Sequence, residues 1–235
     1  MQLIINLDAD NYKIPYNHSY QLYSSILSLL ESQNSSLSNK IHNYRSGTKF
    51  SLSQLMPGGK RKFTDVGFYG ERLVFIISST EDTFIEELKA NFSRSEYIEI
   101  FMHKFKIHSV RTAQISPSSE IINVKSRSPV ILKVENKYLS NESEEQILEA
   151  LMKNLRGKFL KVNKTDLNVR FVNIISAKRK VVEVKGTKLP AFMLKVMFNA
   201  ELDVLKFILS VGFGSKNQLG FGFVEEEKEF VLDDN

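Results

Sequence analysis

The 235-residue chain contains no cysteine. This absence excludes disulfides, thiolate nucleophiles and cysteine-ligated zinc, and it is typical of proteins from a reducing compartment. The N-terminal stretch MQLIINLDADNYKIPYNH lacks the basic and apolar regions of a signal peptide. No apolar run approaches the ~18–20 residues that a transmembrane helix needs. We therefore expect a cytoplasmic protein without a membrane partner.

Residues that carry common enzyme chemistry are also scarce. The sequence has four histidines, and it contains no Ser-His-Asp order, paired-carboxylate signature or Gly-x-Ser-x-Gly elbow. It offers no convincing cluster of metal ligands, so we expect no metal and no cofactor. Histidine is the residue whose ordinary pKa suits proton transfer near neutral pH. Of the four, we expect His18 to order the start of the first helix, and a position that faces a catalytic site is the alternative.

The charge of the chain is unevenly distributed. Residues 123–195 carry 16 Lys and Arg against seven Asp and Glu, whereas residues 196–235 carry three against eight. The whole chain has a formal charge of +5. A basic middle segment is typical of a surface that binds a polyanion, and a solvated basic face is the alternative.

The order of predicted elements indicates two copies of one plan. Residues 1–115 read as β-α-β-β-α-β with an extra strand or hairpin, and we predict that the Ser/Asn-rich stretch at 32–39 is a loop. A Ser-Pro-Ser-Ser run at 116–119 breaks the pattern, and the same order follows it. We predict an α+β fold of two tandem ferredoxin-like domains, residues 1–117 and 118–235. A single-sheet α+β domain is the alternative.

The segment VGFGSKNQLGFG at 211–222 contains four glycines around one lysine. A dinucleotide fingerprint needs a third glycine where Asn217 stands, and neither Gly212 nor Gly214 has the glycine five positions on that a phosphate-binding P-loop requires. Glycines permit positive φ angles and close approach of a partner to the backbone. Lys216 at the apex is placed to contact an anion. A glycine-rich turn that leads into an edge strand is the alternative.

The string VGFGSKNQLGFGFV closely resembles the C-terminal glycine-rich loop of the CRISPR repeat endoribonucleases of the Cas-six type, in the RAMP superfamily. Two further stretches are similar to that family, IPYNHSYQLYSSIL at the start of the first helix and ISP at 115–117. The resemblance covers nearly the whole chain and implies two ferredoxin-like domains. It also implies metal-independent cleavage of CRISPR precursor RNA within its repeats. In that reaction the ribose 2′-hydroxyl attacks the adjacent phosphate and leaves a 2′,3′-cyclic phosphate and a 5′-hydroxyl.

The resemblance implies catalytic residues in the first half of the chain. It places the family's catalytic histidine at His42 and, with a shift of one residue, its catalytic lysine at Lys49. The family's tyrosine on the first helix falls on Leu27, which departs from the pattern. Tyr23, one turn earlier, and Tyr44, two residues from His42, are the candidates to replace it.

The resemblance also implies that CRISPR repeat RNA is the partner, held by the glycine-rich loop and by the basic second half. The candidate RNA-binding residues are Gly212, Gly214, Lys216, Gly220, Gly222, Lys125, Arg127, Lys158, Lys161, Lys178, Arg179 and Lys180. Residues 178–180 are predicted to form a basic turn between two strands. Lys158 and Lys161 are predicted to lie beyond the helix of the second half. Phosphate contacts from such residues make affinity depend on salt.

Two other functions are compatible with the same loop. A non-cleaving RNA-binding RAMP subunit would keep the loop without the chemistry, and Leu27 is the feature that favours this alternative. A structural subunit of a CRISPR effector complex would have other effector subunits as stable partners. The sequence leaves open whether the chain forms a homodimer.

Overall fold

The computed structural model describes residues 1–33, 35–43 and 49–227. Two antiparallel sheets, each with its own helices, divide these residues into a first and a second half. The helices are α1 (Ser19–Gln33), α2 (Ser35–Asn43), α3 (Asp82–Arg94), α4 (Glu144–Asn163) and α5 (Leu202–Val211). Over the described residues, no helix is both long enough and apolar enough to cross a membrane.

The first sheet uses residues between 2 and 113. Its strands are β1 (Gln2–Asp8), β2 (Ile14–Pro15), β3 (Phe50–Leu52), β4 (Met56–Thr64), β5 (Gly67–Ser79), β6 (Tyr97–Ile100) and β7 (His103–Ala113). The order is β2-β5-β1-β7-β6, and β3 and β4 pair with opposite ends of β5. Alternate residues of β1 are buried, as expected for a strand with one face on a core.

The second sheet uses residues between 121 and 226. The strands of this half are β8 (Ile121–Ser126), β9 (Lys133–Val134), β10 (Lys137–Tyr138), β11 (Val169–Val184), β12 (Thr187–Ala200) and β13 (Val224–Glu226). The sheet order is β11-β12-β8-β13, and β9 and β10 form a separate small hairpin. In the first sheet β1 lies between β5 and β7, and in the second sheet β8 lies between β12 and β13. The first strand of each half is therefore central in its sheet, and the two halves repeat one topology.

Each half has its own hydrophobic core. Phe75, Phe84 and Phe92 are fully buried in the first, and Phe198 and Phe213 are fully buried in the second. The prediction of two α+β units is confirmed, and the single-sheet alternative is wrong. The predicted boundary between residues 117 and 118 stays a prediction. It lies in the segment that joins β7 to β8.

The predicted loop at 32–39 is wrong. Residues 32 and 33 end α1, and α2 begins at Ser35. Leu37 and Ile41 lie four residues apart and are both 2% exposed. This spacing puts both side chains on one face of a helix, where burial stabilises a segment whose Ser/Asn composition alone favours a loop.

The predicted basic turn at 178–180 is also wrong, because β11 continues through these residues to Val184. Lys178, Arg179 and Lys180 each pair with a residue of β12. The chain turns instead at Lys185 and Gly186, which both have positive φ. Pairing with the neighbouring strand holds the three cations in extended backbone.

The helix of the second half is longer than predicted, so Lys158 and Lys161 lie within α4 and not beyond it. A capping box at Ser143 starts this helix: its hydroxyl accepts a hydrogen bond from the backbone N–H of Gln146. Glycine often marks the end of a helix, so the sequence suggests an end at Gly157. The helix continues past it, and the ring of Phe159 packs on that of Phe207 in α5, 4.9 Å away.

Candidate functional site

A cleft of about 580 Å³ lies where the two halves meet. It is bounded by the residue before β3, the start of α3, the end of α4 and one side of α5. Its charged lining residues are Lys49, Lys161, Lys164, Lys206, Glu81 and Asp203. Four ammonium groups against two carboxylates give the cleft a positive charge, which suits a phosphate group.

Hydrogen bonds to its backbone carbonyl hold Lys49 at the edge of this cleft. Its carbonyl oxygen accepts hydrogen bonds from the Thr80 N–H at 3.2 Å and from the Ser79 hydroxyl at 2.9 Å. Its Nζ lies 2.5 Å from Oε1 of Glu81, and both side chains remain partly exposed. The carboxylate therefore orients an ammonium group that can also donate to a phosphate oxygen.

The other predicted catalytic residues have different positions. The backbone of His42 lies in the last turn of α2, but its side chain, like the whole of Tyr44, is outside the described residues. Tyr23 is 8% exposed and belongs to the core of the first half. Burial, followed by the charge of Tyr20, raises the pKa of Tyr23. Packing in the core accounts for the position of Tyr23.

The glycine-rich loop at 211–222 is packed mainly against the protein itself. Gly212, Gly214, Gly220 and Gly222 are all buried and all have positive φ. A Cβ on Gly212 would overlap the carbonyl oxygen of Gly222, and the Phe213 N–H donates to that same oxygen at 2.8 Å. The close backbone approach that these glycines permit is therefore between the two ends of the loop. Lys216 remains partly exposed at the apex, with φ of +63°.

Lys158, which we predicted as an RNA-binding residue, lies buried beneath this loop and not at its surface. It is 4% exposed, and its Nζ donates to the Gly212 carbonyl at 2.9 Å, the Asn217 Oδ1 at 2.8 Å and the Val211 carbonyl at 3.4 Å. Asn217 in turn donates to the carbonyl oxygens of Phe213 and Phe221. Burial lowers the pKa of Lys158 to about 7.

Two predicted RNA contacts of the second half form ion pairs with the acidic end of the chain. Arg127 Nε lies 3.0 Å from a carboxylate oxygen of Glu225, and Lys125 Nζ lies 3.8 Å from one of Glu227. Lys195 also pairs with Glu227 and, through this hydrogen bond, lowers the pKa of that carboxyl. The pairing of β13 with β8 brings these opposite charges together. It offsets part of the positive charge that the sequence suggests for this half.

The predicted cluster at 178–180 lies exposed on β11. Lys180 lines a second cleft between the halves, of about 370 Å³, together with Tyr16, Gln54 and Phe221. The structure therefore separates the predicted RNA-binding residues into several sites. Lys161 joins Lys49 in the first cleft, and Lys180 lies in the second.

His18 orders the start of α1, which confirms its prediction. The ring is 2% exposed; Nδ1 lies 2.7 Å from the Pro15 carbonyl oxygen, and Nε2 accepts from the Leu55 N–H at 2.9 Å. Since Nε2 is an acceptor, the single proton of the neutral ring is on Nδ1. Burial lowers the pKa of His18 to about 4, although the Pro15 hydrogen bond opposes this shift.

Sequence reasoning missed two groups of cations. Lys164 and Lys206 join Lys49 in the first cleft, and no local pattern distinguishes them from other surface lysines. Residues 60–62 form a Lys-Arg-Lys run that is exposed on β4. This run is visible in the sequence. It does not stand out in the net charge of its segment, because the first 122 residues are nearly neutral.

The repeated sheet topology defines a class of protein. A solved RAMP protein described as binding different RNA substrates superposes with a TM-score of 0.81 at 19% identity, covering 97% of this chain and 100% of that one. A solved CRISPR associated protein Cas6 gives the same TM-score at 25% identity, with 97% and 99% covered. The fold is the two-domain RAMP fold.

The sequence comparisons are more specific. The family described as CRISPR-associated protein Cas6, N-terminal, matches residues 13–111, and CRISPR associated protein Cas6, C-terminal, matches residues 111–226. CRISPR-associated endoribonuclease Cas6 1 of Methanocaldococcus jannaschii is 30% identical over 242 residues, covering 95% of this chain and 92% of that protein. CRISPR-associated endoribonuclease Cas6 of Pyrococcus furiosus is 24% identical, with 97% and 90% covered. This chain belongs to the Cas6 family.

Proposed function

We propose that this protein is an endoribonuclease that cuts CRISPR precursor RNA within its repeats and needs no metal ion. The observation that carries the proposal is the cationic cleft at Lys49, in a chain that belongs to the Cas6 family along nearly its whole length. Curated relatives that cover at least 95% of this chain are named CRISPR-associated endoribonucleases.

The proposed reaction is an internal transfer of the phosphoryl group. The 2′-oxygen of the nucleotide before the cut forms a bond to phosphorus, and the bond from phosphorus to the 5′-oxygen breaks. The proton of the 2′-hydroxyl passes to a base, and the departing 5′-oxygen takes a proton from an acid. The products carry a 2′,3′-cyclic phosphate and a 5′-hydroxyl.

Three residues of the first half have roles in this proposal. His42 is the acid or the base, because an imidazole can give or take a proton near neutral pH. Lys49 donates to a non-bridging phosphate oxygen, where negative charge builds up in the transition state. Tyr44 assists in place of the tyrosine that the family has at the position of Leu27.

Cleavage of repeat RNA from the source organism's CRISPR array in excess EDTA tests the proposal. We expect a single cut that a 2′-deoxy nucleotide at the mapped position abolishes, since the nucleophile is then missing. His42→Ala should reduce the cleavage rate by about 100- to 10,000-fold and leave RNA binding unchanged. His108→Ala is the matched control. His108 lies on β7, where its Nδ1 is 3.3 Å from Oδ1 of Asp8, and it is not among the described residues that line the cleft.

Other results would separate the alternatives. Tight RNA binding without a cut, in EDTA and in magnesium alike, would favour the non-cleaving RAMP subunit, with Leu27 as its sequence signature. Cleavage that persists in the 2′-deoxy substrate would contradict the 2′-hydroxyl mechanism and leave only the broader RNase assignment. Full activity of His42→Ala would remove this residue from the site.

A further inference from the structure

The hairpin formed by β4 and β5 carries an exposed basic and aromatic surface far from the cleft at Lys49. Lys60, Arg61, Lys62 and Phe63 are consecutive and all exposed. Gly59, with φ of +68°, precedes them at an irregularity in the pairing between Gly58 and Arg61. Bulges of this kind re-aim the side chains of a strand and are frequent next to functional sites.

The cations of this hairpin line a concave surface. A cleft of about 450 Å³ is bounded by Lys60, Arg61, Lys62, Tyr69, Asn11 and Thr64, and none of these described lining residues is acidic. Within the described part of the chain, none of the three basic side chains forms an ion pair. The nearby carboxylate of Glu71 accepts instead from the Lys60 backbone N–H, at 3.2 Å. The three positive charges therefore remain available to an external anion.

Exposed aromatic rings lie on the face of the hairpin that also carries Arg61, because Arg61 and Phe63 are two residues apart on β4. Phe63 pairs across the strands with Phe68, with ring centroids 6.3 Å apart, and Phe68 lies 6.2 Å from the ring of Tyr16. Phe63 and Tyr16 are 58% and 47% exposed. The Tyr16 hydroxyl donates to the Thr64 carbonyl, which fixes this ring against the hairpin. Arg61 lies 6.0 Å from the centroid of Phe63.

We propose that this hairpin is a second RNA-binding surface, which holds a single-stranded part of the same transcript that is cut at Lys49. Single strands are bound by cationic grooves that follow the phosphates and by exposed rings on which bases stack. Both features are present here on a few consecutive residues. The inference rests on the proposed function, because the RNA that is held is the substrate of the cut.

The position of the hairpin sets the length of RNA that it needs. The Lys49 carbonyl is bonded to Ser79 at one end of β5, and the hairpin turn meets Gly67 at the other. Twelve steps at ~3.3 Å per residue put these ends about 40 Å apart. A stacked strand at ~3.4 Å per nucleotide spans that distance in about 12 nucleotides. The surface therefore contributes to affinity and not to the chemical step.

Fluorescence anisotropy with the full-length protein tests the inference with two RNAs. The long RNA contains the repeat and its flanks, and the short RNA keeps about six nucleotides on either side of the cut, too few to reach the hairpin. The triple variant Lys60→Ala, Arg61→Ala, Lys62→Ala should weaken binding of the long RNA and lower its salt slope by about 2. Phe63→Leu should weaken it about 5-fold or more. Binding of the short RNA should stay within error.

Matched variants control for charge and for an exposed ring. Lys104→Ala, Lys106→Ala, Arg111→Ala removes three exposed cations of β7, and Tyr97→Leu removes an exposed ring of β6. Both should leave the affinity and salt slope of the long RNA unchanged. The single-turnover rate at saturating RNA should be the same in every variant.

Three results would overturn the inference. Unchanged affinity of both hairpin variants for the long RNA, with normal cleavage, would refute the surface and leave the proposed function intact. That result would turn attention to an acidic protein as the partner of the hairpin. Equal losses in the control variants would show a nonspecific charge effect. A wild-type protein that neither binds nor cuts repeat RNA would remove the proposed function and this inference together.

Discussion

The two halves of the molecule share a topology but use their positive charges differently. In the second half, three cations of the sheet pair with Glu225 and Glu227, and Lys158 is buried under a loop. In the first half, residues 60–62 and 63 form one exposed basic and aromatic surface. The half that is nearly neutral by composition thus also presents an exposed run of cations, like the run at 178–180 in the second half.

This contrast shows that the charge of a segment is a poor guide to the charge of a surface. Residues 123–195 have an excess of nine positive charges, but the antiparallel pairing of β13 with β8 brings acidic residues from outside that segment against it. The field at the surface depends on which charges are neighbours in the fold.

Of the cations compared in the two halves, Lys49, which lines the first cleft, should have the largest effect. Lys49→Ala should reduce the cleavage rate by about 100- to 1,000-fold, because a donor to the transition-state oxyanion is lost. Single-turnover rates at saturating RNA measure this effect. Lys206→Ala, which removes a lysine across the same cleft, should cost less than a tenth of that. Equal losses would show that the cleft acts through its overall charge and not through Lys49.

Lys158 should make the stability of the second half depend on pH. Its proton leaves near pH 7 in the folded state and near 10.5 in the unfolded state. The unfolded chain therefore binds more protons between these values, so the free energy of unfolding should rise with pH there by about 1.4 kcal/mol per unit. Urea unfolding of the wild type and of Lys158→Met should differ by this slope. A parallel pH dependence in both would contradict it, and Lys161→Met is the exposed control.

His18 should contribute a smaller dependence of the same sign in acid. Its pKa is about 4 when folded and 6.5 when unfolded, so the unfolded chain binds more protons between these values. The contribution is complete above pH 6.5 and is lost as the pH falls through 4, at up to about 1.4 kcal/mol per unit. His18→Gln should unfold with a shallower pH dependence between pH 4 and 6.5. An unchanged pH dependence in His18→Gln would contradict this contribution.

The smallest effect is expected from the ion pairs of the second sheet. The double variant Glu225→Gln, Glu227→Gln frees Arg127, Lys125 and Lys195, and it should tighten RNA binding by about threefold at low salt. Anisotropy titrations at two salt concentrations measure this change. Glu149→Gln, Glu183→Gln removes the same charge from elsewhere in the second half and should have less effect. No difference between the pairs would show that Glu225 and Glu227 do not mask a binding surface.

The repeated element order and the family could be predicted from the sequence, because both depend on local patterns and on a specific glycine string. The position of His18 at the start of the first helix was also predicted. The errors arose where local signals conflicted with packing. The polar stretch before His42 folds as α2 on Leu37 and Ile41, and α4 continues past Gly157.

The environment of each cation, in contrast, depends on the tertiary structure. Lys158 is indistinguishable from Lys161 in the sequence, yet one donates to buried carbonyls and the other lines a cleft. Strand pairing matched Arg127 with Glu225, nearly a hundred residues away. Sequence patterns report the neighbours of a residue along the chain, whereas burial and ion pairing depend on its neighbours in space. For this reason the fold and family could be predicted, and the distribution of charge over the surface could not.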